Sequence, residues 1–139
     1  MNIIQRVHFD DALKAKPFLR VLVQRLLSLG GSVACVWNDD ETTEKSFVNV
    51  LLMLGRVSGG KAARLQQMAG SQCHSNSINL TRRYPKRYQR EIGFALSQDG
   101  LWRPHSWVWD IKKNQIVETT EKREVYFGFT RELGAQEQN

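Results

Sequence analysis

His105-Ser106-Trp107-Val108-Trp109-Asp110-Ile111-Lys112-Lys113-Asn114-Gln115-Ile116-Val117-Glu118-Thr119-Thr120 is the stretch on which the fold turns. Two runs rich in aromatic and β-branched residues, 105–109 and 115–120, flank a polar segment of turn formers, the pattern of an antiparallel hairpin. Upstream, 92–97 reads as another strand, followed by the turn Gln98-Asp99-Gly100, and downstream 126–130 adds one more. The C-terminal part is therefore expected to be an antiparallel meander.

The N-terminal part changes period. Residues 2–9 alternate loosely and read as an edge strand, and Asp10 and Asp11 are N-cap candidates for a helix running to Leu29. Pro17 predicts a break or kink near Lys16. Beyond it Phe18, Leu19, Leu22, Leu26 and Leu29 recur at helical steps until Gly30-Gly31. Residues 32–37 read as a buried strand with Asn38-Asp39-Asp40 as its turn. The apolar block 47–54 puts Val50, Leu51 and Leu54 on one face if helical, but its pattern leaves helix and strand open; it ends at Gly55 before the loop Ser58-Gly59-Gly60. Residues 61–68 read as a short helix, Gly70-Ser71 as a break, and 73–84 as a helix capped by Ser71 and stopped by Pro85. Helices first and strands afterwards predict an α+β fold, N-terminal helices packed on a C-terminal antiparallel β-sheet. A single domain over 1–139 is expected, with a frayed tail at 134–139.

Composition narrows the class. With 139 residues, 41% hydrophobic and 24% charged, the chain belongs with globular proteins rather than disordered tails. No apolar run reaches the roughly 18 residues of a membrane span; the longest, 21–29, is interrupted by Gln24, Arg25 and Ser28. No membrane partner is expected. His8, Asp10 and Asp11 stand where a secretion signal needs an apolar block, so a cytoplasmic location is expected. The net charge of +6 permits an acidic partner without demanding one. Cys35 and Cys73 are too few for a disulfide scaffold and read as thiols. Two cysteines and three scattered histidines show no metal-ligand spacing, so no metal and no cofactor is expected.

Three segments carry chemistry: Ser71-Gln72-Cys73-His74, Arg103-Pro104-His105-Ser106-Trp107 and Val117-Glu118-Thr119-Thr120. A thiol attacks as thiolate, and a helix start and a nearby imidazolium both favour that anion. Cys73 lies at an expected helix start, and His105 on an expected strand. If the hairpin turn is 110–113, Trp109 pairs with Asn114 and His105 faces Glu118, a distance at which a carboxylate orients an imidazole. If the turn is only Lys113-Asn114, Glu118 faces Trp109 and this triad fails. His74 points about 100° away from Cys73 on the helix and is the poorer partner. Asp110 has the wrong strand parity to serve His105, and Cys35 reads as structural.

A cysteine at a helix start, then His105-Ser106-Trp107, then Glu118-Thr119-Thr120, resembles the transglutaminase-like branch of the papain-like cysteine-enzyme superfamily, whose pattern is Cys, then His-Ala-Trp, then Asp-x-Thr. The resemblance covers about a third of the chain, from Ser71 to Thr120, with glutamate in place of aspartate. It implies a papain/transglutaminase-like core and acyl transfer, hydrolase or transferase, on a protein or peptide amide or a small amide or ester. Cys73 would be the nucleophile, His105 the proton carrier and Glu118 its orienter. The Cys73 N–H, with a group near Gln72, would meet the oxyanion, and Trp107 would wall the site.

A reading of another class rests on Arg82-Arg83-Tyr84-Pro85-Lys86-Arg87-Tyr88-Gln89-Arg90. Arg82, Arg83, Lys86 and Arg87 would form a patch for nucleic acid or an acidic protein, with Cys73 and His105 merely structural. No zinc-finger spacing or RNP-like aromatic pattern accompanies the patch. The sequence sets no oligomeric state.

Overall fold

Among the described residues Pro17 opens the first helix, so of the break or kink expected near Lys16 the structure shows the break. The helix α1 spans Pro17–Leu29 with Lys16 as N-cap, because a proline in the first turn removes an N–H that has no intrahelical acceptor anyway. Leu19, Leu22, Val23 and Leu26 form its buried face. Gly30 and Gly31 end it at φ +139° and +75°, a conformation open to glycine at little steric cost. This computed structural model describes residues 4–8, 16–37 and 41–132. Asp10 and Asp11, the Asn38-Asp39-Asp40 turn and the 134–139 tail lie outside them.

The protein is α+β. Among the described residues there are three α-helices, α1, α2 (Glu41–Leu54) and α3 (Cys73–Arg83), and eight strands. The strands are β1 (Ile4–His8), β2 (Val33–Trp37), β3 (Arg56–Gly59), β4 (Arg64–Leu65), β5 (Tyr88–Leu96), β6 (Leu101–Asp110), β7 (Gln115–Glu118) and β8 (Val125–Thr130). The sheet runs β1-β2-β6-β5-β8-β3, with β7 also on β6 and β4 on β7. It is mostly antiparallel, with parallel pairs β2–β6 and β4–β7.

The sheet is not C-terminal only, as sequence order suggested. Four of its eight strands come from the first 65 residues. Residues 61–68 form no helix: Gly60–Ala62 is a 3-10 turn. The backbone then runs extended beside β7, where Gln66 N–H donates to Glu118 O at 2.8 Å and Met68 N–H to Thr119 O at 2.7 Å. An eight-residue segment is marginal as a helix in water, and long-range pairing outweighs its propensity. The 47–54 block is helical, but its buried residues are Val48 and Leu51, with Val50 and Leu54 exposed. Val48, Leu51 and Glu44 are spaced three and four apart and turn that stripe inward.

All three helices lie on one face. Leu22, Leu26, Val48 and Leu51 pack on Phe94, Leu96, Trp102 and Phe127, and Leu80 of α3 packs on Tyr88 and Val108. Tyr88, Phe94 and Leu96 share strand parity on β5 and so share a face. The other face carries Ala95, Trp107, Ile116 and Tyr126, with Ala63 laid over them.

The site owes its position to β6. One edge of β6 pairs with β5 from Trp102 to Asp110. The other edge pairs with β2 at Leu101 and Trp102 and with β7 from Val108 to Asp110. Between these two neighbours, 103–107 forms a notch in the sheet. Pro104 stands in it, and its missing N–H deprives no ladder partner there, since its nitrogen faces the same edge as that of Ser106.

Candidate active site

Cys73 is the first residue of α3, behind Gln72 as N-cap, and no acidic residue occupies the first turn. Gln72 and not Ser71 is the cap. Ser71 is held at φ +60°, which turns the chain sharply into the helix and takes its hydroxyl away from the capping role. No side chain caps the helix, so the Cys73 N–H and its neighbours retain the partial positive charge of an open helix start. Ser77 Oγ donates to Cys73 O at 2.7 Å and Asn76 Nδ2 to Ala69 O at 2.8 Å, tying this turn to the preceding loop.

Cys73 enters the notch from the helical face. His105 springs from the opposite face, beside Trp107 and Tyr126, with ring centroids 5.9 and 6.4 Å away. The His105 ring and the Ser106 N–H are the groups that stabilise charge on the thiol. His105 Nε2 meets Glu118 Oε1 at 2.7 Å, which leaves Nδ1 as the nitrogen toward sulfur. His105 is 3% exposed and Glu118 fully buried, whereas Cys73 is half-buried.

Glu118 faces neither residue that the two sequence registers offered. Val108 pairs with Val117 and Asp110 with Gln115, so the turn is Ile111–Asn114 and Glu118 falls opposite Trp107. His105 is its diagonal neighbour on the same face, a separation that a long side chain bridges. The extra methylene of glutamate, relative to aspartate, supplies that reach. Asp110 stays in the strand because its buried carboxylate is held by Arg87 at 3.0 Å, Arg64 at 3.3 Å and the Lys113 N–H at 3.0 Å.

Both carboxylate oxygens of Glu118 are met by donors. Tyr126 Oη donates to Oε1 at 2.9 Å, and Thr120 N–H and Oγ1 both donate to Oε2 at 3.0 Å. Tyr126 was not legible as a site residue, because an irregular connection separates β7 from β8 and no spacing signals the contact. The Thr120 contact has a sequence signal in its two-residue offset from Glu118, the spacing of local side chain-to-backbone bonds.

Electrostatics follow from these contacts. Burial pushes the Cys73 thiol up, but the hydrogen bond and positive charge of His105, joined by the Ser106 N–H, bring it below its ordinary value. Burial opposes the His105 imidazolium, yet hydrogen bonds to Cys73 and Glu118 and their charges hold it above the ordinary histidine value. Burial raises Glu118 as well, but His105, Thr120 and Tyr126 hold it below the carboxylate range. Burial and the Glu118 charge push the Tyr126 hydroxyl far up, so it remains a donor. The outcome favours a thiolate beside an imidazolium, a pair able to attack a carbonyl carbon.

An open cleft of about 360 Å³ reaches the thiol, lined by Gly70, Ser71, Cys73, Pro104, His105 and Thr120, and by Arg103, Glu121 and Arg123; Arg103 is paired with Asp99 at 2.8 Å. Gln72 is exposed and is not part of that lining. Trp107 does not line the cleft either; it is buried behind His105, packs edge-on to Tyr126 at 5.0 Å and donates Nε1–H to Glu91 at 3.1 Å. Gly128 makes room for its indole, since a Cβ there would stand 2.5 Å from the ring. No family model, curated protein or solved structure matches this chain.

The remaining candidates separate. His74 Nδ1 is hydrogen-bonded to Ser106 Oγ and does not partner Cys73. Cys35 is a buried free thiol. The basic run does not form one surface, because Arg87 is spent on Asp110 and Arg90 is buried. Arg82, Arg83 and Lys86 are exposed at the end of α3 and in the turn beyond it. Among the described residues no three His, Cys, Asp or Glu side chains cluster as metal ligands, and no helix is long and apolar enough to cross a membrane.

Proposed function

We propose that the protein is a cysteine-dependent acyl hydrolase or acyl transferase of papain/transglutaminase-like type, acting on a peptide amide or a small amide or ester. The observation that carries the reading is the single imidazole of His105, held by Glu118 at 2.7 Å on one side and acting on the Cys73 thiol on the other, beside an open cleft that both Cys73 and His105 line.

In this reading the Cys73 thiolate attacks the carbonyl carbon, and the Cys73 N–H at the uncapped helix start lies ready for the oxyanion. The C–N or C–O bond breaks, and the leaving group takes the proton from His105 Nδ1. A thioester on Cys73 remains. Water or an amine then attacks it, giving its proton to His105, and the thiolate leaves. Glu118 accepts the Nε2–H throughout and stabilises the imidazolium.

The test is acylation by p-nitrophenyl acetate, followed by intact-mass and peptide mapping. An acetyl group on Cys73, formed with release of p-nitrophenolate, is expected, with the rate falling about 100-fold or more in His105→Ala. Acetylation of other residues only, or a His105→Ala rate equal to wild type, contradicts the reading.

A further inference from the structure

A second cavity lies away from the thiol, on the helical side of the sheet, between the C-terminal half of α3 and the ends of β5 and β8. Its volume is about 480 Å³, within the range of small-molecule sites. Arg82, Arg90 and Arg131 line it against one carboxylate, Glu132, and Tyr88 gives it an apolar wall. Among the described residues that line it, three carry guanidinium groups and one a carboxylate.

Two of these features differ from an ordinary basic surface. Arg90 is 4% exposed, so its charge acts on anything in the cavity through a lower effective dielectric than a surface arginine does. Thr81 also lines the cavity, is 9% exposed, and its Oγ1 has no hydrogen-bond partner. A threonine inside a helix ordinarily gives its hydroxyl to the carbonyl four residues back. Leaving a buried hydroxyl unmet costs stability, and an acceptor arriving in the cavity would relieve it.

We propose that this cavity binds an oxyanion, a phosphate or carboxylate group carried on a small organic body. Arginine forks and a hydroxyl donor suit such oxygens, and each guanidinium has five N–H donors, so contacts it makes within the protein do not exhaust it. The Tyr88 wall accommodates the organic part. Arg90 and Arg131 also act on His74, which burial first, and then these two charges with His105, hold below its ordinary value. An anion in the cavity would offset that field one residue from Cys73. The site stands whether or not Cys73 is catalytic.

The experiment is isothermal titration calorimetry of the full chain at constant ionic strength set with chloride, using inorganic phosphate, phenyl phosphate and benzoate as probes. Saturable binding of phenyl phosphate or benzoate with a Kd of roughly millimolar or tighter is expected, and the tighter of the two identifies the oxyanion. Arg82→Gln and Arg131→Gln, both at exposed positions, should each weaken it about tenfold. Glu132→Gln should tighten binding about two- to threefold by removing the opposing charge, a gain that misfolding does not produce. Cys73→Ala should bind as wild type. No saturable binding of any probe, or binding that the two arginine variants leave unchanged, overturns the proposal.

Discussion

Glu118→Gln is the perturbation that reads most from the geometry. Four donors converge on the carboxylate: His105 and Tyr126 on Oε1, and the Thr120 N–H and hydroxyl on Oε2. Glutamine keeps the shape but offers one acceptor oxygen and one NH2 group. The Thr120 backbone N–H cannot rotate, so the amide oxygen is drawn to that side and the NH2 faces His105 Nε2. The imidazole must then accept at Nε2 and carry its proton on Nδ1, toward the thiol, which is the tautomer unable to take the thiol proton. Loss of the ion pair would return Cys73 to at least the ordinary thiol pKa of about 8.5, leaving roughly 0.3% thiolate at pH 6. Iodoacetamide alkylation of Cys73 at pH 6, followed by mass spectrometry, should therefore slow, by up to about 300-fold. Turnover of an acyl substrate should fall about 10³-fold, on the order of 4 kcal/mol of barrier. Buried Cys35 serves as the internal reference. A folded Glu118→Gln protein alkylated at pH 6 as fast as wild type would refute the role of the carboxylate.

Gly128→Ala should destabilise by about 1–3 kcal/mol through overpacking, because its Cβ would meet the Trp107 ring at 2.5 Å and Ile92 O at 2.7 Å; an unchanged urea midpoint would show that the indole moves aside freely. Acid should unfold the protein partly through Glu118 and Asp110. Both are held below the ordinary carboxylate range, Glu118 by His105 and Asp110 by Arg87 against opposing burial. Their stabilisation is complete above the unfolded-state values of about 4 and is lost as pH falls through the lower folded values. Equilibrium denaturation from pH 6 to pH 2 should show this loss, and a flat profile would contradict it.

Local punctuation was readable in the sequence. Gly30-Gly31 ends α1, Gly70-Ser71 precedes α3, and Gln98-Asp99-Gly100 joins β5 to β6, each because a backbone conformation or a missing cap acts within a few residues. Strands β3 and β4 were not readable. Arg56–Gly59 and Arg64–Leu65 become strands only by pairing with β8 and β7, more than 50 residues away along the chain. The hairpin register was also set at a distance, by the ion pairs that keep Asp110 in β6. Relative to the first sequence register, sliding the turn by one residue on both strands moves each pairing by two, which preserves faces. That is why His105 and Glu118 still meet, diagonally rather than directly. The face of α2 was misjudged because Val50 and Leu54 are as apolar as the residues that are buried, and only the packing of α1 and β8 chooses between them.

The central claim is a thiolate–imidazolium pair in the notch of the sheet. A thiolate absorbs near 240 nm and a thiol does not, so the difference between wild type and Cys73→Ala, titrated from pH 4 to pH 10, reads its ionisation directly. Thiolate should form well below pH 8.5, and His105→Ala should shift that midpoint upward. A single transition at or above pH 8.5 in the wild-type protein, unmoved by His105→Ala, would contradict the pairing and with it the catalytic reading.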